Sequence, residues 1–184
     1  MKRTLLAIIF ILQLATTYAQ HYPEREGFSI GGSIGGGVLH FTSGFEDNQT
    51  TGDLALPNLK LGWMVKDNLG LYLNLPGQIY KENGKDRSFE GLIPSVQYWP
   101  GNRFWLSGGF GVAMDFPAFY EVKNINDETW NWGKGALIGM GFEVLQRKKF
   151  TIDIQARMLM SSFKVNDGRK EGANFSMAVG FNYY

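Results

Sequence analysis

Residues 173–184 restrict the fold more than any other stretch. Phe175, Met177, Val179, Phe181 and Tyr183 share one face of an extended chain, and Asn174, Ser176, Ala178, Gly180 and Asn182 share the other. Period two marks a strand whose two faces meet different surroundings. All the bulk lies on one side, while the opposite side is small or polar. A soluble sandwich packs bulk against a shared core. This division instead fits a stave with lipid outside and a narrow, wet lumen inside.

The same division recurs upstream. Residues 27–41 alternate Phe28, Ile30, Ile34 and Val38 with Ser29, Gly31, Ser33, Gly35 and Gly37. Over 54–65, Leu59, Leu61, Trp63 and Val65 oppose Lys60 and Gly62, and Pro57 marks a bulge. Further strands are expected over 69–75, 89–99, 104–116, 135–144 and 150–161, which makes eight with the last. The polar stretches 43–53, 83–88, 121–129 and 166–172 read as long loops. Those around Asp67, Gly101 and Lys148 read as tight turns. Long and short connections alternate, and the strand count is even. The fold class is therefore all-β, an eight-stranded antiparallel up-and-down transmembrane β-barrel.

Residues 1–19 begin with Lys2 and Arg3, continue in an apolar run from Leu5 to Leu12, and end in Thr17, Tyr18 and Ala19. This is a secretory signal peptide expected to be cleaved after Ala19, too short to span a bilayer as a helix. Residues 20–26 are then a short periplasmic N-terminal tail, and 27–184 the barrel. The chain has no cysteine, so disulfides, thiolate metal sites and a lipid anchor at the cleavage point are excluded. Without Lys2 and Arg3, 18 − 2 = 16 basic residues face 17 acidic ones, with no basic cluster. Nucleic acid is not a partner for such a surface.

The aromatic residues fall at two levels. Trp63, Tyr98, Trp99, Phe104, Trp105, Phe150 and Tyr183 sit near the short turns or the chain end. Phe41, Tyr80, Phe89, Phe116, Tyr120, Trp130, Trp132 and Phe163 sit near the loops. Two girdles suit rings that favour a membrane–water interface. Charges within the expected strands fall on the inward face. Lys60, Glu143, Asp153 and Arg157 reach similar depth and are expected to form a lumen charge network, with the cations neutralising the carboxylates.

Little in the chain speaks for chemistry. Glu143 and Asp153 could form a catalytic carboxylate pair, but two cations within reach make ion pairing the better account. His40, with Thr42 and Ser43 beside it, has no carboxylate placed next to it by the hairpin register, and His21 lies in the tail. Glu46, Asp47, Asn48 and Asp53 lack calcium-loop spacing. The glycines from Gly31 to Gly37 lack the Lys-Ser/Thr ending of a phosphate loop. No catalytic residues, metal or cofactor are expected.

On these features, over 27–184, the chain resembles the small eight-stranded outer-membrane barrels of Gram-negative envelopes, the OmpA/OmpX-type, porin-like families. The resemblance implies export to the periplasm, assembly into outer-membrane lipid and a monomer by default. It also implies that the barrel-assembly machinery reads the final strand, where Tyr183 is the terminal aromatic in phase with the apolar face. Adhesion and envelope-integrity roles through extracellular loops, chiefly 43–53 and 119–132, are the leading expectation. A narrow channel or carrier for a small apolar or amphipathic solute, with pairing weakened at Pro57, Pro76 and Pro94, is the alternative. A lipid-modifying enzyme using His40 ranks third. Eight strands leave an interior just wide enough for side chains or one small ligand.

Overall fold

A computed structural model of the protein describes residues 23–43, 50–82, 84–120, 129–165 and 168–184. The expected signal peptide, His21, Glu46, Asp47 and Asn48 lie outside these residues. The described residues form nine strand segments: β1 (Gly27–Ser43), β2 (Thr50–Lys66), β3 (Leu69–Leu75), β4 (Gly77–Glu82), β5 (Lys85–Tyr98), β6 (Phe104–Pro117), β7 (Asn131–Gln146), β8 (Phe150–Val165) and β9 (Gly168–Tyr183). β3 and β4 are a single stave interrupted at Pro76, which has no N–H to give to the ladder. All pairings are antiparallel. β9 returns to β1, with Ile30 opposite Tyr183 and Val38 opposite Phe175, so eight staves close without an edge.

The outward face follows the alternation read from the sequence. Phe28, Ile30, Ile34, Leu59, Leu61, Val96, Phe110, Ile138, Met140, Phe142, Ile154 and Val179 are all exposed large apolar side chains. Such a surface around a whole barrel has no aqueous rationale and suits hydrocarbon. Outward charges among the described residues sit toward the strand ends. Lys134 is exposed, one residue beyond the strand expected over 135–144, and Glu90 is half-buried at the loop end of the one expected over 89–99.

Two expectations are corrected. Residues 83–88 and 166–172 are not long loops. β4 and β5 pair as far as Glu82 opposite Lys85, and β8 and β9 as far as Val165 opposite Gly168. Past the lipid both faces of a strand are wet, so the apolar alternation fades although the ladder continues. The lumen, moreover, is not lined only by small and polar residues. Leu39, Phe41, Tyr80, Phe89, Ile93, Ala113, Leu137, Leu159 and Phe163 form a buried apolar cluster toward the loops. Met64, Tyr72, Trp99, Trp105 and Tyr184 form a second one toward the turns. Glycines make room for the large rings: a Cβ on Gly141 would stand 2.4 Å from the Trp105 ring, and one on Gly62 would stand 2.4 Å from that of Tyr72.

Candidate functional site

Among the described residues, polar and charged side chains converge in the interior, which divides into three levels. At the turn end, Glu143 on β7 is fully buried. It accepts hydrogen bonds from Arg25 Nη2 at 2.7 Å, Gln146 Nε2 at 2.7 Å, Trp99 Nε1 at 2.9 Å and the Tyr184 hydroxyl at 3.3 Å. Arg25 also donates to the Asn102 carbonyl at 2.8 Å and lies 4.8 Å over the Trp99 ring. The backbone holds residues 23–26 and Tyr184 in place. Glu24 N–H donates to the Lys148 carbonyl at 2.7 Å, and Tyr184 N–H to the Lys149 carbonyl at 3.0 Å. Residues 23–26 are thus no free tail, but part of the closure of this mouth.

In the middle level, Asp153 on β8 stands directly opposite Glu143 in the β-ladder. It has its own donors, Trp105 Nε1 at 3.1 Å and Asn182 Nδ2 at 3.0 Å. The two carboxylates therefore do not share a proton site as a catalytic pair would. Lys60 donates to Gln97 Oε1 at 3.0 Å, with its ammonium 4.9 Å from the Tyr72 ring and 5.3 Å from that of Trp105. Arg157 is buried, and its Nη1 has no hydrogen-bond partner. Asp153 acts on both Lys60 and Arg157 through space. Lys60, Glu143, Asp153 and Arg157 all lie buried in this part of the lumen. Arg25, not Lys60 or Arg157, makes the close ion pair with Glu143.

At the loop end, Asp115 on β6 is fully buried and is held by four side chains. Tyr80 donates at 2.7 Å, Lys170 at 3.0 Å, Asn131 at 3.0 Å and Arg87 Nε at 3.1 Å. Glu82 balances the second cation, lying 3.0 Å from Arg87 and 3.2 Å from Lys170. Lys170 also donates to the Tyr80 hydroxyl. Two carboxylates and two cations form a closed set above the apolar cluster.

The girdle residues behave in two ways. Trp63, Tyr98, Tyr183 and Trp132 are exposed on the outer face, and Phe104, Phe150 and Trp130 are half-buried. Phe116 is buried instead, stacked on Trp130 at 4.6 Å with planes 6° apart and packed 5.4 Å from Phe119. Trp99, Trp105, Phe41, Tyr80, Phe89 and Phe163 are buried members of the lumen clusters, so they belong to no girdle. His40 is exposed, its Nδ1 2.7 Å from the Thr50 hydroxyl. Among the described residues no group of three His, Asp or Glu side chains could hold a metal ion.

The sequence reading missed Arg25, Tyr80, Arg87, Lys170 and Tyr184 as interior residues. Parity marks three of them: Tyr80 shares its phase with Tyr72 and Asn74, Arg87 with Ile93 and Ser95, and Lys170 with Asn174 and Ser176. Those three lie past the point where the outward bulk of their strands stops, whereas Arg25 lies outside any strand.

No family model matches the sequence, and no curated protein matches it. Solved structures share the fold at low sequence identity. Neisserial surface protein A matches with a TM-score of 0.59 at 15% identity, over 85% of this chain and 96% of that one. Ail, the attachment invasion locus protein of Yersinia pestis, matches with a TM-score of 0.52 at 14% identity, over 86% of this chain and 99% of that one. A second structure of Ail, in complex with the heparin analogue sucrose octasulfate, matches with a TM-score of 0.55. The chain carries the fold of the small eight-stranded outer-membrane β-barrels.

Proposed function

We propose that the protein is an integral outer-membrane barrel that acts through its loop end, as a surface-interaction or envelope-integrity protein, and that its lumen does not conduct. The carrying observation is the double closure of the interior. The Glu143 cluster at one mouth and the Asp115 cluster at the other are each buried and internally paired. Between them, Phe41, Phe89, Ile93, Leu137, Leu159 and Phe163 fill the section below the loops. In this reading the turns face the periplasm, and the loop end faces outward. There Phe119 and Tyr120 expose 73% and 67% of their surface beside the Phe116–Trp130 stack.

Aromatic side chains held out into water beside polar strand ends favour contact with a partner surface. Ail and Neisserial surface protein A belong to the same fold, and Ail takes a sulfated ligand. Here the loop sequences carry Glu46, Asp47, Glu121, Asp127, Glu128 and Asp167 against Lys123, which disfavours a polyanion and favours a neutral or apolar contact. The test is conductance of the purified protein in planar bilayers at neutral pH. A silent bilayer is the expected result, and reproducible single-channel steps would move the function to transport.

A second reading has one observation behind it. β5 and β6 are bridged at Leu92 opposite Val112 and next at Ser95 opposite Gly109, so the ladder is interrupted at Pro94. An outward apolar groove of about 770 Å³, lined by Leu73, Pro94, Val96, Phe110 and Ile138 among others, lies over the gap. A small apolar solute could use it as a lateral port. Uptake of such a solute that fell in a strain carrying Pro94→Val would favour this second reading.

A further inference from the structure

The middle of the lumen holds one buried charge too many. Below the loop-end cluster the described interior contains Arg25, Lys60 and Arg157 against Glu143 and Asp153, so 3 − 2 leaves one positive charge over. Arg25 is spent on Glu143 at 2.7 Å. Lys60 and Arg157 are left to share Asp153, and neither lies within ion-pair distance of it. A guanidinium withdrawn from water is costly unless something negative or strongly polar meets it.

What Arg157 meets is a small internal cavity. Its walls include Ser33, Asn58, Gln155, Arg157 and Ser176, with Gly35, Ala55, Gly77, Ala178 and Pro76 supplying small or rigid surface. Several of the lining polar atoms are unpartnered and buried: Arg157 Nη1, both Nδ2 and Oδ1 of Asn58, and Gln155 Oε1. Buried polar atoms are rarely left without partners, and two of these, Arg157 Nη1 and Asn58 Nδ2, are donors that call for an acceptor between them. No carboxylate lines it. The backbone around it is irregular on three neighbouring staves: the β1–β2 register shifts between Ser33 and Gly35, Pro57 stands opposite that shift, and Pro76 interrupts the next stave. These breaks hold the walls apart where regular strands would bring inward side chains together.

We propose that this cavity is a binding site for one monatomic, chloride-sized anion, held by Arg157 with Asn58 and the hydroxyls of Ser33 and Ser176. The space open to the centre of a water-sized sphere is about 10 Å³. That is room for a water molecule or a small ion and not for a bulky organic anion. The only formal charge on the wall is positive, so a cation is excluded as well. Water would satisfy the amides, but it would leave the surplus charge uncompensated. An anion at this level completes the neutrality that the two mouths achieve with protein groups alone.

The experiment compares thermal unfolding of the protein in detergent, prepared without chloride, during titration with sodium chloride, sodium bromide or sodium gluconate. Chloride and bromide should raise the unfolding temperature by several degrees and saturate, while gluconate at equal ionic strength should not. Arg157→Gln should remove the difference between the salts. An equal response to all three, or an unchanged difference in Arg157→Gln, overturns the site. If that variant does not fold, anomalous diffraction from wild-type crystals grown in bromide decides alone. A peak beside Arg157 supports the proposal, and a cavity filled only with water refutes it.

Discussion

The two mouths of the barrel solve one problem with different chemistry. Each is built on a single carboxylate with no exposed surface, Glu143 at the turns and Asp115 at the loops. Glu143 meets one cation and three neutral donors, and two of its partners, Arg25 and Tyr184, come from the segments that flank the barrel strands. Asp115 meets two cations, Arg87 and Lys170, and both are also tied to Glu82. Neutral donors lose little when the acid is changed, because they carry no charge that must be compensated. Buried cations lose a great deal. The loop end should therefore be the more fragile toward loss of its acid, and the turn end the more fragile toward loss of the flanking segments that carry Arg25 and Tyr184.

The widest separation between the mouths should come from Asp115→Ala. It takes from Arg87 and Lys170 the fully buried carboxylate that they share, and the loss of one partner from a buried charged set costs about 3–5 kcal/mol. The measurement is the temperature at which the strand circular-dichroism signal disappears in detergent. A drop no greater than that of Glu143→Gln would remove the asymmetry. Glu143→Gln keeps an acceptor for Trp99 and Tyr184 but deprives Arg25 of its charge partner. A loss of about 1–3 kcal/mol is expected for a charged hydrogen bond of this kind. Combining it with Arg25→Met should recover part of that loss, and an additive double variant would show that the two residues are not coupled.

The sequence displays the wall and hides its contents. Alternation in residues 104–116 or 173–184 shows which side chains point inward, because period two depends on the strand alone. It does not show what stands across the lumen. Leu39, Ile93, Leu137 and Leu159 come from four staves, and only closure of the barrel turns four inward leucines and isoleucines into a plug. Lys60, Glu143, Asp153 and Arg157 were legible as interior charges, whereas the choice of Arg25 for Glu143 was not. That choice depends on residues 23–26 folding back beneath the turn at Lys148, a placement no periodicity records. Tyr184 is a related case. By phase it is one residue past Tyr183, and that same step turns its ring into the lumen, 6.2 Å from Trp99.

Tyr184→Phe is a smaller perturbation of the turn end. The ring stays against Trp99 and Arg25, and the hydroxyl's contacts with Glu143, at 3.3 Å, and with Thr151 go, while three other donors remain on the Glu143 carboxylate. A loss of about 0.5–1.5 kcal/mol is expected. Membrane assembly should be unchanged, because Tyr183 keeps the outward aromatic of the final strand. A sharp fall in membrane-inserted protein for Tyr184→Phe would mean that the Tyr184 hydroxyl, and not the outward phase of Tyr183, is read during assembly.

The smallest effect belongs to a contact that resembles the others only on paper. Glu24 and Lys148 approach to 3.5 Å beside the Arg25 pair, but their side chains are 51% and 66% exposed. Water and salt screen such a pair, and holding two long side chains in one geometry costs entropy, so it contributes at most about 0.5–1 kcal/mol. What fixes residue 24 is its backbone N–H on the Lys148 carbonyl, which no side-chain change removes. Glu24→Gln should therefore leave the melting temperature within error of wild type at physiological salt, next to a clear shift for Glu143→Gln. A comparable shift for both would place the anchoring of the N-terminal segment in its surface charges, and the turn end would then be held from outside the lumen as much as from within.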